Sequence, residues 1–422
     1  MSAVVSSAAG ERRLSLWFPL ALVLFEFSVY IANDMVQPAM LAVVREFHAS
    51  LDWVPTSMTA FLVGGAMLPW LTGPLSDRIG RRPVLLAGVA WFVLACLATY
   101  LADSIETFML VRVLQGLGLC FINAVGYAAV QEAFNERTAI KVTALMANVA
   151  LIAPLIGPLA GAALIEVAPW RLGFLFIAAL AMISFVGLWR CMPETVDTRR
   201  QRPPLSSIAV DYRTVLGNLP FVIAAFAIPL LSMPLMGWIA LSPVLLVENL
   251  GLTPVQYGLL QIPVFAGLIL GNLLLVWLTD RWPLGRSVLV GIVPMVIGLA
   301  LMVGGETWSA GQAGWLVGGM SLVSLGEGLS FAVLYRFALT ASQVAKGTVS
   351  ASVSMLSMIG YAAGLEGFRL VYATAGPLGF VWLGAAYFVL YLLFAGHSVR
   401  RAMRERAQLR VVPPAGAEPA QA

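Results

Sequence analysis

Apolar runs of about twenty residues recur along the whole chain, each long enough as a helix to cross the ~30 Å hydrocarbon core of a bilayer. Twelve can be placed, near 15–38, 53–75, 83–102, 107–130, 141–165, 170–190, 219–243, 255–278, 286–304, 312–335, 347–371 and 376–397. Of the 422 residues, 60% are hydrophobic and only 11% charged, against the ~25% charged share usual in soluble domains. The runs lack the period-two alternation of membrane β-strands, which excludes a β-barrel. The fold class predicted is all-α integral membrane, with twelve transmembrane helices in two six-helix bundles. The first run exceeds a signal-peptide core and no small-residue cleavage site follows it, so it is expected to stay in place.

The longest break, CMPETVDTRRQRPPLSSIAVDYRTVLGN at 191–218, divides the runs six and six. The expected organisation is an N-terminal bundle over 1–190, a cytoplasmic linker over 191–218, a C-terminal bundle over 219–397 and a cytoplasmic tail over 398–422. The halves echo one another. Leu75-Ser76-Asp77-Arg78 follows span 2 and Leu278-Thr279-Asp280-Arg281 follows span 8, and Gly64 and Gly267 each stand thirteen residues before the Asp. The offset is 203 residues. Such halves suit alternating access. With the N-terminus in the cytoplasm, all but Arg45, Arg112, Arg171 and Arg369 of the 25 basic residues fall on the cytoplasmic side, as the positive-inside rule requires. The net charge of +4 is therefore topological and no nucleic-acid partner is expected. Cys96, Cys120, Cys191, His48 and His397 have no metal-site or disulfide spacing. No Ser/His/Asp set marks an enzyme, and no GxxxxGK[ST] loop marks an ATP-driven pump.

Span 1 reads WFPLALVLFEFSVYIANDMVQ over Trp17–Gln37 and carries two carboxylates, Glu26 and Asp34. A charge at the bilayer centre costs roughly 2.5–3.5 kcal/mol on insertion scales, so acids kept there face an interior and serve proton or ion movement. Glu26, Tyr30, Asn33, Asp34 and Gln37 recur at helical spacing and form one polar stripe. Desolvation favours the protonated form of a carboxyl and a nearby arginine the ionised form. Arg112, inside span 4 at a depth comparable to Asp34, is expected to tune it. Span 4 extends the stripe through Gln115, Asn123, Tyr127 and Gln131. These residues predict a proton-coupled transporter.

Gly73-Pro-Leu-Ser-Asp77-Arg78-Ile-Gly80-Arg81-Arg82-Pro83 follows span 2. Gly80 permits a tight turn, Pro83 suits a first helical turn, and Asp77 stands among arginines. This junction resembles motif A of the major facilitator superfamily. Leu110-Val-Arg112-Val-Leu-Gln115-Gly116 resembles its motif B, and Ala153-Pro154-Leu-Ile-Gly157-Pro158-Leu-Ala-Gly161 its antiporter motif C. Phe25-Glu26-Phe27-Ser28, Asn33-Asp34-Met35, Asp52-Trp53, Gly126-Tyr127 and Lys346-Gly347-Thr348 are similar to the superfamily's drug/proton antiporter group across nearly all twelve spans.

The resemblance implies export of lipophilic cationic and neutral compounds in exchange for protons by alternating access, in a bacterial inner membrane, with both termini cytoplasmic. It implies proton coupling at Glu26, Asp34 and Arg112. It also implies a gate in which Glu132 pairs with Arg81 while Asp77 meets the start of span 11. Pro154, Gly157, Pro158 and Gly161 should make span 5 bent and tightly packed. Tyr30, Asn33, Met58, Gln115, Tyr127, Met146, Ala150, Leu235, Met236, Ile239, Met358 and Tyr361 are the expected cargo contacts, since methionine adapts to varied shapes and aromatic faces attract cations. No cofactor and no metal are expected; the proton gradient is the energy source, drugs, protons and bilayer lipid are the partners, and the chain is read as a monomer. Glu327 and Glu366 are further intramembrane acids to which the resemblance gives no role. A proton-coupled nutrient importer and a non-transporting membrane sensor remain alternatives.

Overall fold

The computed structural model of the chain describes residues 17–196, 205–279, 281–282, 285–344 and 346–411. Among them every regular element is helical. The first pass is α1 (Trp17–Asp34) and α2 (Val36–Glu46), bent by 48°. The second is α3 (Trp53–Met67) and α4 (Pro69–Ile79), bent by 42°. α5 (Arg81–Tyr100) follows. α6 (Ile105–Phe121) continues through a π-helical turn, Ile122–Gly126, into α7 (Tyr127–Ala133). α8 (Glu136–Val167) and α9 (Arg171–Cys191) complete the first half. After α10 (Leu205–Leu216) come α11 (Leu219–Ser242) with a π-helical turn at Pro243–Glu248, α12 (Pro254–Thr279), α13 (Arg286–Trp308), α14 (Ala313–Thr340) and α15 (Lys346–Val411).

Proline chemistry explains both bends. Pro38 lacks the N–H that would bond the Asp34 carbonyl, and Pro69 likewise leaves the Gly65 carbonyl. Span 1 nevertheless continues to Glu46 rather than ending at 38, because a proline in the first turn of the new helix is tolerated. In motif C, α8 continues as one helix through Pro154 and Pro158, and its Gly157 and Gly161 pack closely on α1 and the bend. The predicted linker is also partly structured, since α10 lies inside it.

Among the described residues, eight helices are long and apolar enough to cross a membrane, or ten when each bent pair counts once. The 66-residue α15 breaks at Gly376, where φ is 56°, and so separates two passes. α8 adds its apolar stretch Ile152–Val167. This agrees with the twelve expected passes. Leu94, Ile183, Leu273 and Leu393 are each more than 60% exposed, an apolar surface suited to lipid. The chain is a multi-pass membrane protein.

Buried apolar side chains form two clusters. One draws on α1 to α9 and includes Phe25, Phe92, Phe108 and Phe174; the other draws mainly on α11 to α15 and includes Trp238, Phe265 and Phe368. Met58 of α3 belongs to the second cluster, and Met358 packs against both. Across the halves α3 meets α15 and α8 meets α12. The echoed glycines do equivalent work. A Cβ at Gly64 would strike the Val113 carbonyl of α6, and one at Gly267 the Ser321 carbonyl of α14. Asp280, the partner of Asp77 in the echo, lies outside the described residues.

Candidate functional site

The bend in span 1 builds the site. Ending α1 at Asp34 frees backbone carbonyls, and buried carbonyls need donors. Gln37 Nε2 donates to the Asn33 carbonyl at 3.1 Å. Arg112 Nη1 reaches across from α6 and donates to the Ala32 carbonyl at 3.0 Å. The same guanidinium donates to Gln115 Oε1 (2.7 Å), Ser57 Oγ (3.2 Å) and Asn33 Oδ1 (3.3 Å), and its central carbon lies 4.8 Å from the Phe61 ring centroid. Arg112 is fully buried, and its donor fork is what allows one side chain to serve four acceptors.

Asp34 stands beside this cluster but forms no ion pair with Arg112 among the described residues. Asn33 joins them: its Oδ1 accepts from Arg112, and its Nδ2 donates to Asp34 Oδ1 at 3.1 Å. Arg112, expected to tune Asp34, is thus connected to it by hydrogen bonds through Asn33 rather than by a direct ion pair. Asp34 Oδ2 is buried without a partner. Glycines of α8 press on the bend: a Cβ at Gly157 would collide with the Asp34 side chain, and one at Gly161 with the Met35 carbonyl.

Glu26 lies two turns earlier on α1 and is fully buried. Tyr127 donates to its Oε1 at 2.9 Å, while Oε2 has no partner. Tyr127 opens α7 directly after the π-helical turn, a backbone insertion often found at functional sites. Neither acid forms an ion pair among the described residues, so an ionised carboxylate at either position lacks a positive charge in direct contact in a low-dielectric interior.

The predicted cargo contacts divide. Tyr30, Tyr127, Met236 and Met358 are half-buried; Met58, Met146, Leu235, Ile239 and Tyr361 are buried in the two cores. The Ala150 side chain lies outside the described residues. The sequence expects Asn33 and Gln115 to face cargo, and the structure uses both ends of each elsewhere. Gln115 accepts from Arg112 and donates to Thr99 Oγ1 at 2.5 Å. A hollow of about 410 Å³ lined by Phe47, His48, Trp53 and Glu106 contains none of the predicted contacts.

At the motif A junction Arg81 grips Glu132 through two bonds of 2.8 and 3.2 Å, as expected. Asp77 pairs with Arg81 on its own side of the junction at 2.5 Å, and the Lys346 side chain at the start of span 11 lies outside the described residues. The chain turns at Gly80 between α4 and α5, and this turn brings the two side chains together. Gly80 takes φ 109°, the left-handed region that L side chains avoid. Gly73 and Arg78 lie on α4, which packs on α15. Glu194, to which no motif points, accepts from the backbone N–H groups of Arg81 and Arg82 at 2.9 and 3.2 Å. It caps α5. Thr195 adds a 2.6 Å bond to Glu132. No periodicity marks these two, because they follow span 6 within a charged, irregular stretch.

At the opposite end Arg45 pairs with Glu248 at 2.5 Å. These positions are 203 residues apart, the offset of the internal echo, so the pair joins equivalent points of the two halves. Glu366 is matched locally by Arg369 at 2.6 Å.

The comparisons agree with this architecture. A family model described as Major Facilitator Superfamily matches residues 22–365. The multidrug transporter MdfA of Yersinia pestis bv. Antiqua (strain Angola) is 51% identical over 393 residues, covering 91% of this chain and 96% of that protein. The chloramphenicol resistance protein CraA of Acinetobacter baumannii is 50% identical over 396 residues, covering 94% of this chain and 95% of that protein. The crystal structure of a bacterial homologue of the human lysosomal transporter Spinster superposes with a TM-score of 0.71 at 15% identity, over 96% of this chain and 100% of that one. That likeness concerns the fold alone. By sequence and by fold, the chain belongs to the major facilitator superfamily.

Proposed function

We propose that the protein is a proton-driven multidrug efflux antiporter, exporting lipophilic cationic and neutral compounds by alternating access across a bacterial inner membrane. The observation that carries this reading is the pair of buried acids on one helix, Glu26 and Asp34, each with one carboxylate oxygen unpartnered and no ion pair. A proton or a cargo cation supplies the missing positive charge. The relatives' names, a multidrug transporter and a chloramphenicol resistance protein, support drugs as cargo. On this reading the chain is a carrier rather than an enzyme, needs no cofactor beyond the proton gradient, and works as a monomer with both termini cytoplasmic. The bundles 1–190 and 219–397 rock about cargo, joined by 191–218.

One proton exchanged for a neutral drug moves net charge, and the membrane potential supplies ~2.3 kcal/mol per charge per 100 mV. One proton exchanged for a monovalent cation moves none, so the pH gradient alone drives it. Drug-induced proton release from purified protein tests the reading. Release is expected from the native chain, reduced in Glu26→Gln and in Asp34→Asn, and absent when both are changed. Unchanged release from the doubly neutralised chain would sink the proposal.

The Arg45–Glu248 pair would hold the outer face closed while the cavity opens to the cytoplasm. It is solvent-exposed, so its worth is at most ~1 kcal/mol. Arg45→Glu is expected to shift the balance of states about fivefold or less, and the swap Arg45→Glu/Glu248→Arg to restore it. Distance measurements between labels flanking the pair report the shift; a swap that fails to restore it argues against a latch.

A further inference from the structure

Glu327 has no place in the chemistry above, yet it sits on α14 at 4% exposure with Oε2 lacking any hydrogen-bond partner. Its surroundings differ from those of Glu366, which has an arginine. Ser232 of α11 stands beside both Glu327 and Tyr361, and Tyr391 of α15 also faces the carboxyl. Among the described residues these two tyrosines are the ionisable groups that face it; α11 and α12 carry no charged residue, and α13 carries only Arg286 and Glu306 at its ends. Ser232 Oγ and the Tyr391 hydroxyl are buried and close to polar neighbours (Glu327 and Tyr361 for the serine, Ser330 for the tyrosine), yet neither makes a hydrogen bond of ordinary geometry. A purely structural network would satisfy its members, because a half-satisfied buried cluster costs stability.

The cluster also adjoins the expected cargo surface. On α11, Ser232 shares a face with Leu235, Met236 and Ile239 by helical spacing. On α14, Glu327, Phe331 and Tyr335 recur every fourth residue. Tyr335 in turn lies near Tyr127, the residue that holds Glu26. The C-terminal half thus carries its own acid on a stripe leading to the N-terminal one.

We infer that Glu327 is a second cargo-recognising carboxyl, which carries a proton in its hydroxyl-lined pocket between α11, α14 and α15 and releases it to pair with the positive centre of a lipophilic cation. This deepens the export reading and rests on it. The test uses purified full-length protein, with binding of tetraphenylphosphonium and of neutral chloramphenicol measured alongside proton release. E327Q is expected to weaken tetraphenylphosphonium binding about tenfold or more, the loss of a charge-assisted contact, and to release fewer protons per cation bound. Chloramphenicol affinity should change less than about twofold, which also shows that the variant is folded, and E327D should recover most of the cation affinity. Native cation affinity and proton release in E327Q would overturn the inference alone, as would equal loss of both compounds. Absence of proton release from the native chain with either compound would overturn the export reading and this inference with it.

Discussion

Arg112→Met is expected to reduce uphill cargo transport about a hundredfold or more while the protein still inserts in the membrane. The reason lies in the four acceptors that the guanidinium serves: the Ala32 carbonyl, Asn33 Oδ1, Ser57 Oγ and Gln115 Oε1. Leaving a buried acceptor unpaired costs about 1–3 kcal/mol, and two such losses at the bend amount to roughly 1.5 to 4 powers of ten in its equilibrium. Arg112→Lys should be nearly as damaging, because an ammonium offers three donors from a single point and cannot span the fork. Cargo accumulation in inverted vesicles, normalised to membrane-inserted protein, measures the effect. Near-native accumulation in the lysine variant would show that charge alone matters and that the carbonyl-holding geometry does not.

Gly161→Val should be comparably severe by a different route. Its side chain would drive into the Met35 carbonyl, and that atom is backbone at the bend, with no rotamer to move aside. Overpacking a well-filled interior costs typically 1–3 kcal/mol, and here it would separate α8 from the segment that carries Asp34. The expected result is a lower melting temperature of the detergent-solubilised protein together with loss of cargo-induced proton release. The same change at Gly73 on α4, where a Cβ meets open space, should leave the melting temperature within experimental error. Equal melting temperatures for the two variants would remove close packing as the role of Gly161.

Much of this architecture is legible in the order of residues. The helical, membrane-spanning character and the buried polar stripe of span 1 follow from hydropathy and period, because lipid tolerates only helices with satisfied backbones. Glu26 and Asp34 stand out because charge in hydrocarbon is costly. The legible part stops at interactions between helices. Asn33 and Gln115 read as cargo contacts along a stripe, yet each is tied at both ends by side chains from the same region. Glu194 and Thr195 carry no signal at all, since a capping role depends on where the chain returns after span 6.

The amino-acid order alone determined a multi-pass helical bundle with two acids and an arginine in its apolar spans, since solvation energy acts on each residue wherever it lies in the fold. Tertiary structure alone decided that Arg112 of α6 reaches the Ala32 carbonyl at the bend and that Asn33 stands between the two charges. Those outcomes depend on hydrogen-bond geometry across α1, α3 and α6, and directional bonds between distant segments leave no trace in composition or period.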